Sequence, residues 1–216
     1  MPNRALAQHR PWLLASIAAA TLFFFLRDEA IGGIQLMVLK AAGVALLAVY
    51  ALHRGHRGDA RLLALVMALS AIGDALIEIS FIAGGTAFFL SHLAAIALYL
   101  RNRRAQPTTS QRLAGAALLV GTPLVSWLLS GDAGVTLYSL ALGGMAACAW
   151  LSRFPRYRVG IGAVLFVISD WLIFSRLGFI GDNPLADWLI WPLYYGGQLM
   201  IATGVVQTLR HEKVVA

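Results

Sequence analysis

Long apolar runs, broken by short polar joints that carry arginine, repeat along the whole chain. Eight of them come near the length that about 30 Å of hydrocarbon demands of a helix. They cover roughly Pro11–Leu26, Ala30–Leu52, Leu62–Ser80, Gly84–Leu100, Leu113–Ser130, Gly134–Leu151, Val159–Phe174 and Ala186–Leu209. None shows the period of two that a barrel strand requires. A backbone in lipid has to satisfy its amides within its own segment, so the runs predict helices. The expected fold class is an all-α integral membrane protein with eight transmembrane helices.

The polar joints test that number. Arg4, Arg10, Arg54, Arg57, Arg61, Arg101, Arg103, Arg104, Arg112, Arg153, Arg156, Arg158, Arg210 and Lys213 fall at one set of helix ends, and only Arg27 and Arg176 at the other. With Lys40 inside a span, these account for all 17 basic residues. Removing one helix scrambles the separation, so the positive-inside rule predicts eight spans with both termini cytoplasmic. Arg4 and Arg10 ahead of a short apolar run also resemble a signal peptide, but no small-x-small cleavage site precedes Arg27-Asp28-Glu29, and the span is expected to stay. Four helices return the chain to its starting side. Residues 1–105 and 106–216 are therefore expected to be two parallel four-helix repeats of one transmembrane domain, joined at Gln106-Pro107-Thr108-Thr109-Ser110.

Composition agrees. With 59% hydrophobic residues, 12% charged and a mean hydropathy of +0.74, the chain has more apolar surface than a soluble core of 216 residues hides. The net charge of +7 raises the question of nucleic acid, but the arginines sit between apolar runs and not on a folded face, so nucleic acid is not an expected partner. Membrane lipid is. Cys148 stands alone inside an apolar run and is expected simply to pack.

Two carboxylates break the apolar pattern at matched places. Ala-Ile-Gly73-Asp74 is followed, after a turn, by Phe88-Phe89-Leu90-Ser91-His92-Leu93, and Val-Ile-Ser169-Asp170 by Tyr194-Tyr195-Gly196-Gly197-Gln198-Leu199. A carboxylate at the centre of a spanning helix costs about 3 kcal/mol on insertion scales, so it is expected to face a cavity or a partner. Asp74 and Asp170 are placed past the middle of outward-running helices, with His92, Gln198 and Lys40 near the middle of inward-running ones, which predicts one shared polar site reachable from lipid.

Each of these residues has a structural alternative. Lys40 can pair with an aspartate simply to hold the bundle, and His92 can be a satisfied core histidine. Glu78 shares the Asp74 face but reads as a wet helix end, Trp188 and Trp191 read as packing, and Ser169 can bond back to its own helix. Tyr195 and Gln198 share a face and join the candidates. The two aspartates together resist the structural reading, because purely structural needs rarely demand two carboxylates. No metal site is expected: the spans hold one histidine, with His9, His53, His56 and His211 on joints or tails. There is no phosphate-cradling glycine loop, nucleophile elbow or dinucleotide fingerprint, so no cofactor is expected either.

At this point the chain resembles the YhhN-like integral membrane hydrolases, whose characterised members are lysoplasmalogenases. The resemblance rests on Lys40, Gly73-Asp74, Phe88 to Leu93, Tyr138 with Met145, Gly162 to Asp170, and Tyr194-Tyr195-Gly-Gly-Gln198, from about residue 36 to 204. The chain departs at Ala41, where the family usually has proline, and at Ala95, where a tyrosine is frequent. The resemblance implies hydrolysis of the vinyl-ether bond of a lysoplasmalogen to a fatty aldehyde and a glycerophospho-amine, in a bacterial inner membrane. Protonating the alkenyl carbon and activating water are two proton tasks, which two aspartates in unequal surroundings can divide. Under that reading Asp74 and Asp170 are catalytic, and Lys40, His92, Tyr138, Ser169, Tyr195 and Gln198 bind or orient the substrate. The alternative from another class is a small proton-coupled carrier or channel using the same charges.

Overall fold

A computed structural model describes residues 10–29, 33–54, 58–178, 181 and 183–215 of the chain. Eight helices form among them: α1 (Pro11–Leu26), α2 (Gly33–Arg54), α3 (Gly58–Leu76), α4 (Phe81–Arg101), α5 (Thr109–Ser130), α6 (Ala133–Leu151), α7 (Ile161–Leu177) and α8 (Pro184–Val215). A π turn, Arg156–Gly160, leads into α7. Ala30, Arg4, Arg57, His9 and His56 lie outside the described residues.

Local chemistry sets many of the ends. Pro11 opens α1, where its missing amide hydrogen costs nothing. Thr108 and Gln111 cap α5 reciprocally, and α5 closes on Gly131 at φ +65°, a conformation that glycine adopts without strain. The Asp132 side chain accepts from the Val135 amide at 2.8 Å and starts α6.

Among the described residues six segments are long and apolar enough to cross a membrane: α2, α4, α5, α6, Arg156–Leu177 and Pro184–Arg210. At 16 residues α1 is apolar but shorter, and α3 carries Asp59, Arg61 and Asp74. Ile82, Ile34, Phe25 and Leu113 are 80%, 72%, 68% and 67% exposed, an apolar exterior suited to lipid and not to water. This is an integral membrane protein.

The chain divides into two compact units, Met1–Ser91 and His92–Ala216, with the boundary inside α4. In unit one, α1 packs on α2 and α2 on α3. The Ser16 hydroxyl donates to the Gly43 carbonyl, where Ala20 comes close to the Gly43 backbone. A Cβ on Gly73 would meet the Phe88 ring at 2.8 Å, so the glycine before Asp74 is what lets α3 and the first half of α4 close. Ser70 donates to Ser91, whose own proton goes to the Val66 carbonyl at 2.9 Å.

In unit two, α5 pairs with α6 and α7 with α8, and α7 also lies against α5 and α6. The α7–α8 contact is backbone on backbone. A Cβ on Gly197 would sit 2.5 Å from the Gly162 carbonyl oxygen, and one on Gly162 would sit 2.7 Å from that of Gly197. Small residues let the two backbones approach, which lipid rewards through packing.

Three sequence expectations need correction. First, α3 begins at Gly58, four residues before the expected Leu62, and ends at Leu76, four before the expected Ser80, so Asp74 is past the middle of its helix as expected but only two residues from its end. The charges that lower the hydropathy there do not stop a helix, and Asp59 in the first turn favours one. Second, Ser169 does not bond back to its own helix. Its hydroxyl donates to the Ile190 carbonyl of α8 at 2.9 Å, close to the turn that Pro192 deprives of an amide donor. Third, Lys40 lies in the first half of α2 and pairs with Glu78, not with an aspartate.

Candidate active site

Unit two brings three of the predicted residues onto one line. His92 comes from the middle of α4, Tyr138 from the first turns of α6 and Asp170 from the middle of α7. The Tyr138 hydroxyl donates to Asp170 Oδ2 at 2.7 Å, and His92 Nε2 lies 2.9 Å from the same hydroxyl. A tyrosine has one proton, and the bond to Asp170 uses it. His92 therefore donates from Nε2, and the line reads His92 N–H to Tyr138 O–H to the carboxylate. Tyr138 engages Oδ2 of Asp170, and Oδ1 lies outside this line.

The setting is dry. His92 is 1% exposed and Asp170 6%. Aromatic rings enclose the line edge to face: His92 with Phe166 at 5.1 Å, Tyr138 with Phe174 at 5.9 Å, and Phe166 with Tyr194 at 5.0 Å. Trp191 then touches Tyr194 and stacks on Tyr195 at 5.9 Å. Phe166, Asp170 and Phe174 recur every four residues and share one stripe of α7, a spacing visible in the sequence. The packing role expected of Trp191 fits its burial, while Trp188 is 57% exposed.

Gln198 stands one turn beyond Tyr194 on α8. It is 1% exposed, and its Nε2 has no hydrogen-bond partner among the described residues. An unpaired buried amide costs about 1–3 kcal/mol, so this donor is an unspent polar group in the interior of unit two. Ser169 is fully buried and spent on Ile190, which makes it a fastener of α7 to α8.

The remaining candidates belong to unit one. Asp74 is 2% exposed, and Lys40 reaches Glu78, whose side chain is about half exposed. Lys40 also lies 5.8 Å from the centre of the Phe23 ring. Among the described residues no three His, Cys, Asp or Glu side chains gather as a metal set.

A recess of about 290 Å³ opens where α5 ends and α8 begins, lined by Leu129, Ile168, Trp171, Leu172, Leu189 and neighbours. Its α7 lining falls on positions 168, 171, 172 and 175, away from the stripe that carries Asp170.

The model of the YhhN family matches residues 35–205. The chain is 34% identical over 178 residues to a lysoplasmalogenase of Mycobacterium bovis, covering 76% of this chain and 68% of the relative. A lysoplasmalogenase of Mycobacterium tuberculosis matches with the same identity and coverage. No solved structure matches the chain.

Proposed function

The chain belongs to the YhhN family, and from that premise we propose that it is a membrane-embedded lysoplasmalogenase, hydrolysing the vinyl-ether bond of a lysoplasmalogen by proton exchange at Asp74 and Asp170. The single observation that supports this most is the buried line from His92 through Tyr138 to Asp170. It holds one carboxylate by one oxygen in a dry aromatic setting, with the other oxygen outside the line.

The reaction needs little else. A carboxylic acid gives its proton to the alkenyl carbon one removed from the ether oxygen, and the positive charge that results is shared between the next carbon and that oxygen. Water adds to this oxocarbenium ion while a carboxylate takes the water's proton. The hemiacetal then collapses, its hydroxyl proton passing to the glycerol oxygen as the carbon–oxygen bond breaks, and aldehyde and glycerophospho-amine leave. Two aspartates in different surroundings suit the two proton tasks. A fixed carboxylate also stabilises the cation as it forms, and Gln198, with an unspent donor, suits an oxygen of the substrate.

In the same reading the eight helices all span, as two parallel repeats, and the basic joints and both termini face the cytoplasm of a bacterial inner membrane. The test is incubation of the purified protein with a defined lysoplasmalogen and separately with its acyl-ester counterpart. Aldehyde release matching the lysoplasmalogen consumed, with the ester intact, is expected. Lipid recovered unchanged would leave the carrier reading in its place.

A further inference from the structure

The joints after α4 and α6 in unit two are rich in arginine and lie in acid-free stretches of sequence. Arg101, Arg103, Arg104, Arg112, Arg153, Arg156 and Arg158 fall within the stretches 92–131 and 133–169, neither of which contains an Asp or Glu. Setting topology requires only positive charge, which lysine supplies equally well. Fifteen of the 17 basic residues of the chain are arginine, so what distinguishes these seven is their place in the fold, where each offers a planar fork.

The joints are also pinned. The segment after α4 is fastened to the segment after α6 by an antiparallel bridge between Arg103 and Ser152. The Arg104 amide donates to the Leu151 carbonyl at 3.1 Å and the Arg153 amide to the Asn102 carbonyl at 2.8 Å. Asn102 is 3% exposed, and its side chain locks the corner. Its Nδ2 donates to the Leu98 carbonyl at 3.0 Å, and its Oδ1 accepts from Arg153 Nε at 2.7 Å. Two loops that would otherwise move are thereby made into one ledge, with Arg103, Arg104 and Arg153 adjacent on it. Arg103 and Arg153 point to the exterior, and Arg104 has a buried Nε with no partner among the described residues.

We propose that this ledge is a binding site for the phosphodiester headgroup of an anionic phospholipid. Guanidinium forks match two phosphate oxygens at once. The ledge joins the ends of α4, α5 and α6, each long enough to cross the bilayer, so it sits at headgroup depth. The bridge fixes the backbone from which these arginines project, which lowers the ordering cost of binding. The site stands apart from the reaction proposed above and does not depend on it.

The experiment counts lipid bound to detergent-purified protein by native mass spectrometry. The three titrants are phosphatidylglycerol, zwitterionic phosphatidylcholine and inorganic phosphate. Phosphatidylglycerol should be retained, and phosphatidylcholine and inorganic phosphate should not. Arg103→Gln with Arg104→Gln should weaken retention by roughly 25-fold, about fivefold for each arginine at a membrane surface. The charge-matched pair Arg61→Gln with Arg210→Gln should leave it within about twofold of the parent. Arg103→Gln alone, at an exposed position, serves if the double variant does not fold, with about fivefold expected. Equal loss in the two charge-matched pairs, equal retention of phosphatidylcholine, or an equivalent phosphate adduct without lipid would overturn the proposal.

Discussion

One oxygen of Tyr138 makes two bonds, accepting from His92 and donating to Asp170. Tyr138→Phe removes that oxygen and keeps the ring. Two buried groups lose their partner, so a stability loss of about 1–3 kcal/mol is expected. If Tyr138 holds the reacting carboxylate, turnover should also fall by roughly 10- to 100-fold with little change in KM, since proton transfer and not binding is disturbed. Steady-state kinetics beside a melting curve checks this, and a melting shift with turnover unchanged would make the line structural. In the sequence, Asp74 and Asp170 stand out because a carboxylate in an apolar run is costly wherever it points. The partnership of His92 with Tyr138 was not legible. Helical period assigns each residue to a face, but which faces of α4, α6 and α7 meet is decided by packing. The Lys40–Glu78 pair escaped for a related reason, because α3 ends sooner than hydropathy suggests and turns Glu78 toward α2.

At the scale of helices, hydropathy located the lipid-facing parts and misjudged ends that have other causes. Pro11–Leu26 emerged with the expected bounds because a proline and a charged triplet frame it. The observed α8 runs to Val215, past the expected Leu209, because a helix continues into water as long as its backbone bonds do. The α7–α8 seam gives a sharp contrast between adjacent residues. A Cβ on Gly197 would meet the Gly162 carbonyl, whereas one on Gly196 meets nothing within 4 Å. Gly197→Ala should therefore destabilise by about 1–3 kcal/mol through overpacking, while Gly196→Ala should gain or lose less than about 1 kcal/mol. Thermal melts of the two variants in one detergent check the pair. Similar melting temperatures would show that the seam is looser than its geometry.

For the whole molecule, the asymmetry of the arginines is the reason to expect both termini on one side. Reporters fused after Arg104 and after Lys213 should both report cytoplasm, and a periplasmic signal at either would break the eight-span arrangement. Family and membrane class were legible, because composition and spaced motifs survive without knowledge of packing. The two-unit division was not, since its boundary runs through α4 between Ser91 and His92, inside an uninterrupted apolar helix. The central claim is that Asp74 and Asp170 act by exchanging protons. It is tested most directly by measuring aldehyde release from a lysoplasmalogen together with melting temperature for Asp74→Asn and Asp170→Asn, purified in parallel with the parent. The account predicts folded proteins whose turnover falls on the order of a hundredfold or more in each. Full turnover in either well-folded variant would contradict it for that aspartate.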